Sequence, residues 1–110
     1  MRKTSPKDEI KRLGYKLVYV PHKVVTDHVA VYNVIYKGKH FMAPNREQQK
    51  KRNEKLEMPL NQIWISKKYR KYEGVILFHE LQEIKYQRRG YSIRTAHKMA
   101  RKDEKKFTTD

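Results

Sequence analysis

The chain has 110 residues, no cysteine, and 27 Lys+Arg against 12 Asp+Glu, for a formal net charge of +15. This length suits one domain with a modest core, and the missing cysteines exclude disulfides and thiolate metal sites, so a transition-metal site would be built from His, Asp and Glu. The charge makes nucleic acid or another anionic surface a candidate partner.

In chain order, 7–13 reads as a short helix after Pro6 with Gly14 just past its end. YKLVYV at 15–20, stopped by Pro21, and HVAVYNVIY at 28–36, stopped by Lys37-Gly38, are rich in β-branched and aromatic residues and read as strands. KGKHFMAP at 37–44 suggests a turn and a short returning strand. Residues 46–57 carry a single apolar residue, Leu56, and read as a solvated basic helix after Asn45 or a loop. QIWIS at 62–66 follows Pro59 as a further strand, 67–71 is a basic linker, and two helices over 74–88 and 92–106 are split by Gly90. No internal repeat is visible. The order of helix, a small sheet of three or four strands and two closing helices predicts an α+β domain over 1–106 with a tail at 107–110.

Apolar runs such as 75–78 fall far short of the roughly 20 residues that span a bilayer. The N-terminus, with Lys3, Lys7, Asp8 and Glu9, lacks the apolar core of a signal peptide. A cytoplasmic protein with no membrane insertion is expected, and abundant Lys, Arg and Glu without Cys fits a thermophile.

The chemistry concentrates in VILFHELQE at 75–83. At roughly 100° per residue, the four apolar residues 75–78 point to all sides of the first turn, which is therefore expected to be buried all round. His79 and Glu83, four apart, share a stripe with Glu80 alongside. In the second helix Ile93, Ala96, Ala100 and Phe107 mark the inward side, His97 lies at its margin, and the two alanines allow close approach. If Gly90 reverses the chain, His97 faces His79 and Glu83. Two imidazoles and one carboxylate form a ligand set that zinc accepts in catalytic sites, with a fourth position left for water. Glu80, about 100° around the helix from His79, is placed to take the proton of that water as general base. The packing alternative makes His79 a hydrogen-bonded helix residue, has Glu83 accept from Gln87 at i+4 and leaves His97 on the surface. The conjunction of an apolar run, the i, i+4 pair, the glycine break and a second inward histidine favours the metal site.

ILFHELQE, then GYSIRTAHKMA, preceded by NQIWIS, resembles the minigluzincins, minimal soluble zinc peptidases similar to the catalytic domains of membrane-embedded peptidases of the CAAX-prenyl-protease type. The motifs cover roughly residues 61–106, and the likeness extends to the whole chain in length and element order. The resemblance implies a zincin-like fold, zinc held by His79, Glu83 and His97, Glu80 as general base and a peptide or protein substrate. The broader group has His as second ligand and Glu as third, where this chain has Glu83 and His97. The resemblance also implies an edge strand, Asn61, Gln62, Ile63, Trp64, Ile65 and Ser66, that receives substrate by backbone pairing. Trp64 is alternatively an ordinary core residue of that strand. A hydroxyl donor for the oxyanion is expected as well, with Tyr91 and Tyr86 as candidates. It further implies a zymogen whose C-terminal segment blocks its own cleft or a neighbour's, making Asp110 a candidate latency ligand and the segment a candidate for self-association.

Two rivals stand beside the peptidase reading. Basic clusters at 50–52, 67–71 and 88–89 suit a nucleic-acid-binding module or nonspecific affinity, although no helix-turn-helix, RRM or KH signature is present. A zinc-binding scaffold without catalysis is the other. His22, His28 and His40 lack partners at metal-ligand spacing and stay outside the candidate site.

Overall fold

The computed structural model describes residues 5–109 in backbone and 5–106 in side chains. Helix α1 (Pro6–Arg12) starts where Ser5 Oγ accepts from the Asp8 N–H at 3.1 Å, with Pro6, Asp8 and Glu9 in its first turn. Strand β1 (Lys16–Val20) ends at Pro21, which has no N–H for a ladder. A 3-10 turn at His22–Val25, unforeseen in the sequence, buries Val25 and leads into Thr26 and Asp27, both at positive φ. Strands β2 (Ala30–Tyr36) and β3 (Lys39–Ala43) form a hairpin across Lys37-Gly38, whose φ angles of 47° and 83° match a primed turn.

The basic stretch forms α2 (Arg46–Lys51), started by a capping box between Asn45 and Gln48. Having no apolar face, it is held by buried Gln49, which donates to the Pro44 carbonyl and accepts from the Leu56 N–H. Strand β4 (Gln62–Ser66) is followed by a 3-10 stretch at Lys67–Tyr72 in place of the expected linker, then α3 (Glu73–Arg88) and α4 (Ile93–Thr109). The backbone of residues 107–109 continues α4 rather than forming a separate tail. Asp110, and with it the latency ligand proposed there, lies outside the described residues.

The α+β architecture is as expected, with a four-stranded mixed sheet in the order β1-β4-β2-β3. Alternation along the strands divides the core. Tyr32, Val34, Tyr36 and Ile63 face Ile10 of α1 and Leu77, Leu81 and Ile84 of α3, while Val18, Val20, Val31 and half-buried Trp64 pack on the other side with Val25, Leu56 and Met58. The edge position expected for β4 does not hold. It pairs in parallel with β1 on one side and antiparallel with β2 on the other, so its backbone groups are occupied within the sheet. The first turn of α3 is not buried all round either: Leu77 is fully buried, whereas Val75 and Ile76 line an open cleft.

Candidate metal centre

Gly90, at φ 104°, turns the chain between α3 and α4 in a conformation that a β-carbon disfavours. The helices then run against each other with Ala96 and Ala100 fully buried, as their size suggested. Asp103 on α4 ties the pair by accepting from Gln82 Nε2 at 2.8 Å and the Tyr86 hydroxyl at 2.5 Å.

This packing brings together the three residues expected from the sequence. His79 Nε2 lies 3.1 Å from His97 Nδ1 and 3.3 Å from Glu83 Oε2, and His97 Nδ1 lies 3.0 Å from the same Glu83 oxygen. The ligand atoms form a nearly equilateral triangle. A tetrahedral zinc ion with bonds of roughly 2.0–2.1 Å would set its ligand atoms about 3.3 Å apart, so the donor set and its spacing fit a metal ion. His79, Glu83 and His97 can hold one.

Two supports complete the centre. Glu104 Oε1 accepts from His79 Nδ1–H at 2.7 Å, which directs Nε2 into the triangle. Buried Tyr32 donates its hydroxyl to Glu83 Oε1 at 2.6 Å, leaving Oε2 to face the imidazoles, and accepts from Gln87 Nε2 at 2.6 Å. The expected Gln87–Glu83 link is thus relayed through Tyr32. His97 is half exposed, and its ring meets that of His79 edge-on at 4.7 Å between centroids.

The electrostatics follow from these contacts. Burial works to lower the His79 pKa, but the hydrogen bond with Glu83, the charges of Glu80 and Glu83 and the bond to Glu104 outweigh it and raise the value to about 9. Burial pushes Glu83 upward, yet hydrogen bonds from His79, His97 and Tyr32 bring it down to about 2. Glu80 behaves oppositely. Desolvation, then repulsion from Glu83, holds its carboxyl well above the usual range against the lowering effect of His79. Desolvation and the charges of Glu83 and Glu80 also raise Tyr32 well above the ordinary phenol value, so it remains a donor.

The centre opens into a cleft of about 1140 Å³, lined by Glu80, the start of β2, the segment after β3, α2 and one face of α4. None of Asn61, Gln62, Ile63, Trp64 and Ile65 lines it. Asn61 instead sits at positive φ and accepts from the Ile35 N–H, while Ile63 and Ile65 are buried. One backbone edge does face the cleft. Groups in an antiparallel ladder alternate between the two neighbours. Val29 accepts from the Ser66 N–H at 3.0 Å, so Ala30 directs its own N–H and C=O to the other side. There β3 has already ended, with Ala43 opposite Tyr32, and Asn45, which would come opposite Ala30, gives its N–H to Gln48 Oε1 and its C=O to the Gln49 N–H instead.

Tyr91 and Tyr86 are not among the cleft residues either. Their rings meet edge-on at 6.0 Å by the Gly90 corner, Arg89 lies over both, and the Tyr86 hydroxyl is bonded to Asp103. His22, His28 and His40 bond to Ser66, Glu54 and Asn33 respectively.

The sequence reading missed Tyr32, Glu104 and Ala30. Glu104 had a signal: seven residues after His97, it returns to the same helix face. Tyr32, fifty-one residues from Glu83, had none. Comparisons with family models, curated proteins and solved structures find no match.

Proposed function

We propose that the chain is a zinc-dependent metallopeptidase. The observation that carries this reading is the triangle of His79 Nε2, Glu83 Oε2 and His97 Nδ1 at the wall of an open cleft, with the Glu80 carboxyl beside it. Zinc, when bound, would supply Lewis acidity toward an amide carbonyl and toward a water molecule, whose pKa falls from about 15.7 towards about 7 in such sites.

The remaining work belongs to the chain. Glu104 holds the tautomer of His79, and Tyr32 holds Glu83 with one oxygen free for ligation. The Ala30 N–H and C=O offer pairing to an extended peptide drawn along the cleft. Glu80 takes the proton of the attacking water on a carboxylate oxygen and returns it to the departing amine nitrogen. The raised affinity of Glu80 for a proton in the metal-free protein falls when a dication stands beside it, which frees it as a base only in the loaded centre.

Elemental analysis of tag-free wild type, His79→Ala and His97→Ala tests the metal, with about one zinc per chain expected only in the wild type. Glu80→Gln tests the chemistry. It is expected to keep its zinc and lose peptide hydrolysis by at least about a hundredfold. Full zinc occupancy in the wild type without cleavage of any peptide would leave a zinc-binding scaffold, and no zinc in the wild type would refute the reading.

A further inference from the structure

The cleft is cationic along its α4 wall, and the cations of that wall have no ion-pair partner among the described residues. Arg94, Lys98 and Arg101 of α4 all line it, stepping along the helix face that carries His97. Each is exposed, and no ion pair joins any of them to a carboxylate among the described residues. On the α2 side Lys51 and Arg52 also line the cleft, but they are paired with Glu47 and Glu54, so the free cations are those of α4. Of the four acids in the cleft, Glu83 and Glu104 are committed to the histidines and Glu47 to Lys51, which leaves Glu80 at the candidate metal centre.

From this we infer that the cleft takes acidic peptides, with Arg94, Lys98 and Arg101 reading Asp or Glu side chains at alternate positions of an extended segment. This rests on the peptidase reading for the cleft but not on turnover. At about 1.5 Å of rise per residue, Arg94 and Lys98 stand roughly 6 Å apart along α4 and Lys98 and Arg101 roughly 4.5 Å. Alternate side chains of an extended peptide, which point the same way, are separated by about 6.6 Å. One wall of α4 can therefore engage two such carboxylates while the opposite edge of the peptide pairs with Ala30. The guanidinium groups suit bidentate capture of carboxylate. The same wall repels Lys- or Arg-bearing segments, so selectivity has an attractive and a repulsive component.

The test uses zinc-loaded Glu80→Gln protein, so that binding is read without cleavage, and three fluorescent peptides of equal length with alternate positions occupied by Glu, Ser or Lys. Anisotropy near physiological salt is expected to show the Glu peptide bound about tenfold more tightly than the Ser peptide, the scale of two or three partly exposed ion pairs. The Lys peptide should bind weakest. The R94E/K98E/R101E variant should abolish this order while retaining zinc and its circular dichroism spectrum. Equal affinity for the three peptides in the parent protein overturns the inference without any appeal to the variant. So does tighter binding of a short single-stranded oligonucleotide that the variant loses, which would make nucleic acid the ligand. Cleavage of all three peptides at equal rates by the wild type would sustain the peptidase and refute the charge preference. A Glu peptide bound selectively but never cleaved would sustain the charge preference and refute the peptidase.

Discussion

At the scale of single residues, the centre is an exercise in holding charges still. Glu83 has two oxygens and two tasks, and the Tyr32 hydroxyl separates them by occupying Oε1. Tyr32→Phe removes that bond without removing the ring that fills the core. Zinc affinity is expected to fall about tenfold to a hundredfold, the usual scale for lost support of a metal ligand, as measured by competition with a chromophoric chelator. Unchanged affinity would leave Tyr32 as packing alone. Protons provide a second readout. With its pKa raised to about 9, His79 is protonated at pH 7 in the metal-free protein, and its Nε2 must lose that proton to bind zinc. Calorimetric titration in buffers of different ionisation enthalpy should find at least about one proton released per zinc at pH 7. Release near zero would mean that His79 is not a ligand. The three candidate ligands were legible because i, i+4 spacing and a glycine break are local signals. Tyr32 was not, because only the sheet brings it to α3.

At the scale of elements, the α3–α4 contact decides whether the triangle exists. Ala96 is fully buried and adjoins His97 in sequence, so a larger side chain there pushes on the helix that carries a candidate ligand. Ala96→Leu is expected to destabilise the fold by about 1–3 kcal/mol and to weaken zinc binding, seen together in chemical denaturation and metal competition. A destabilised variant with intact zinc affinity would show that the helices can separate without moving His97. The strands teach a different lesson. QIWIS was readable as a strand, but composition does not distinguish an edge from an interior position when a neighbour arrives from the other end of the sequence. Here β1 pairs with β4 residue by residue from Lys16 opposite Gln62 to Val20 opposite Ser66. The open edge fell instead at Ala30, because β3 ends opposite Tyr32, two residues short of it, and that depends on hairpin register. The basic 46–51 segment was rightly expected to lack an apolar face. Its anchor is a polar residue, Gln49, whose amide satisfies the chain on both sides.

For the molecule as a whole, the centre links folding to acidity. His79 is raised from 6.5 to about 9, so its contribution to stability is complete below about pH 6.5 and is lost as pH rises towards 9. Glu83 is lowered from 4.5 to about 2, so its contribution is complete above about pH 4.5 and is lost on acidification towards 2. Glu80, raised by burial, is stabilising below about pH 4.5 and costs stability from there upward, where the unfolded chain has lost a proton that the fold still holds. The metal-free protein should therefore be most resistant to urea near about pH 4.5, weaken gradually above it through Glu80 and more steeply from about pH 6.5 towards 9 through His79. A flat profile across that range would show that the cluster does not titrate as a folded unit. The +15 charge, which first suggested a polyanionic partner, acquires a more local meaning in the cleft, where three of the cations stand beside the candidate metal ligands.

The ligand triangle also has a mechanical meaning. His79 and Glu83 belong to α3, His97 to α4, and the nearer pair is fourteen residues apart across the Gly90 corner. An ion seated on all three would cross-link the two helices, as a rivet does two plates, in a chain with no cysteine to do so covalently. Such a rivet can be withdrawn. Because a ligand held only by the folded state stabilises it in proportion to the logarithm of its concentration over Kd, a chelator should lower the melting temperature of the wild type and leave that of His97→Ala unchanged. Supply of one ion would then govern both whether the cleft can react and how firmly the C-terminal helix is fastened to the rest of the protein.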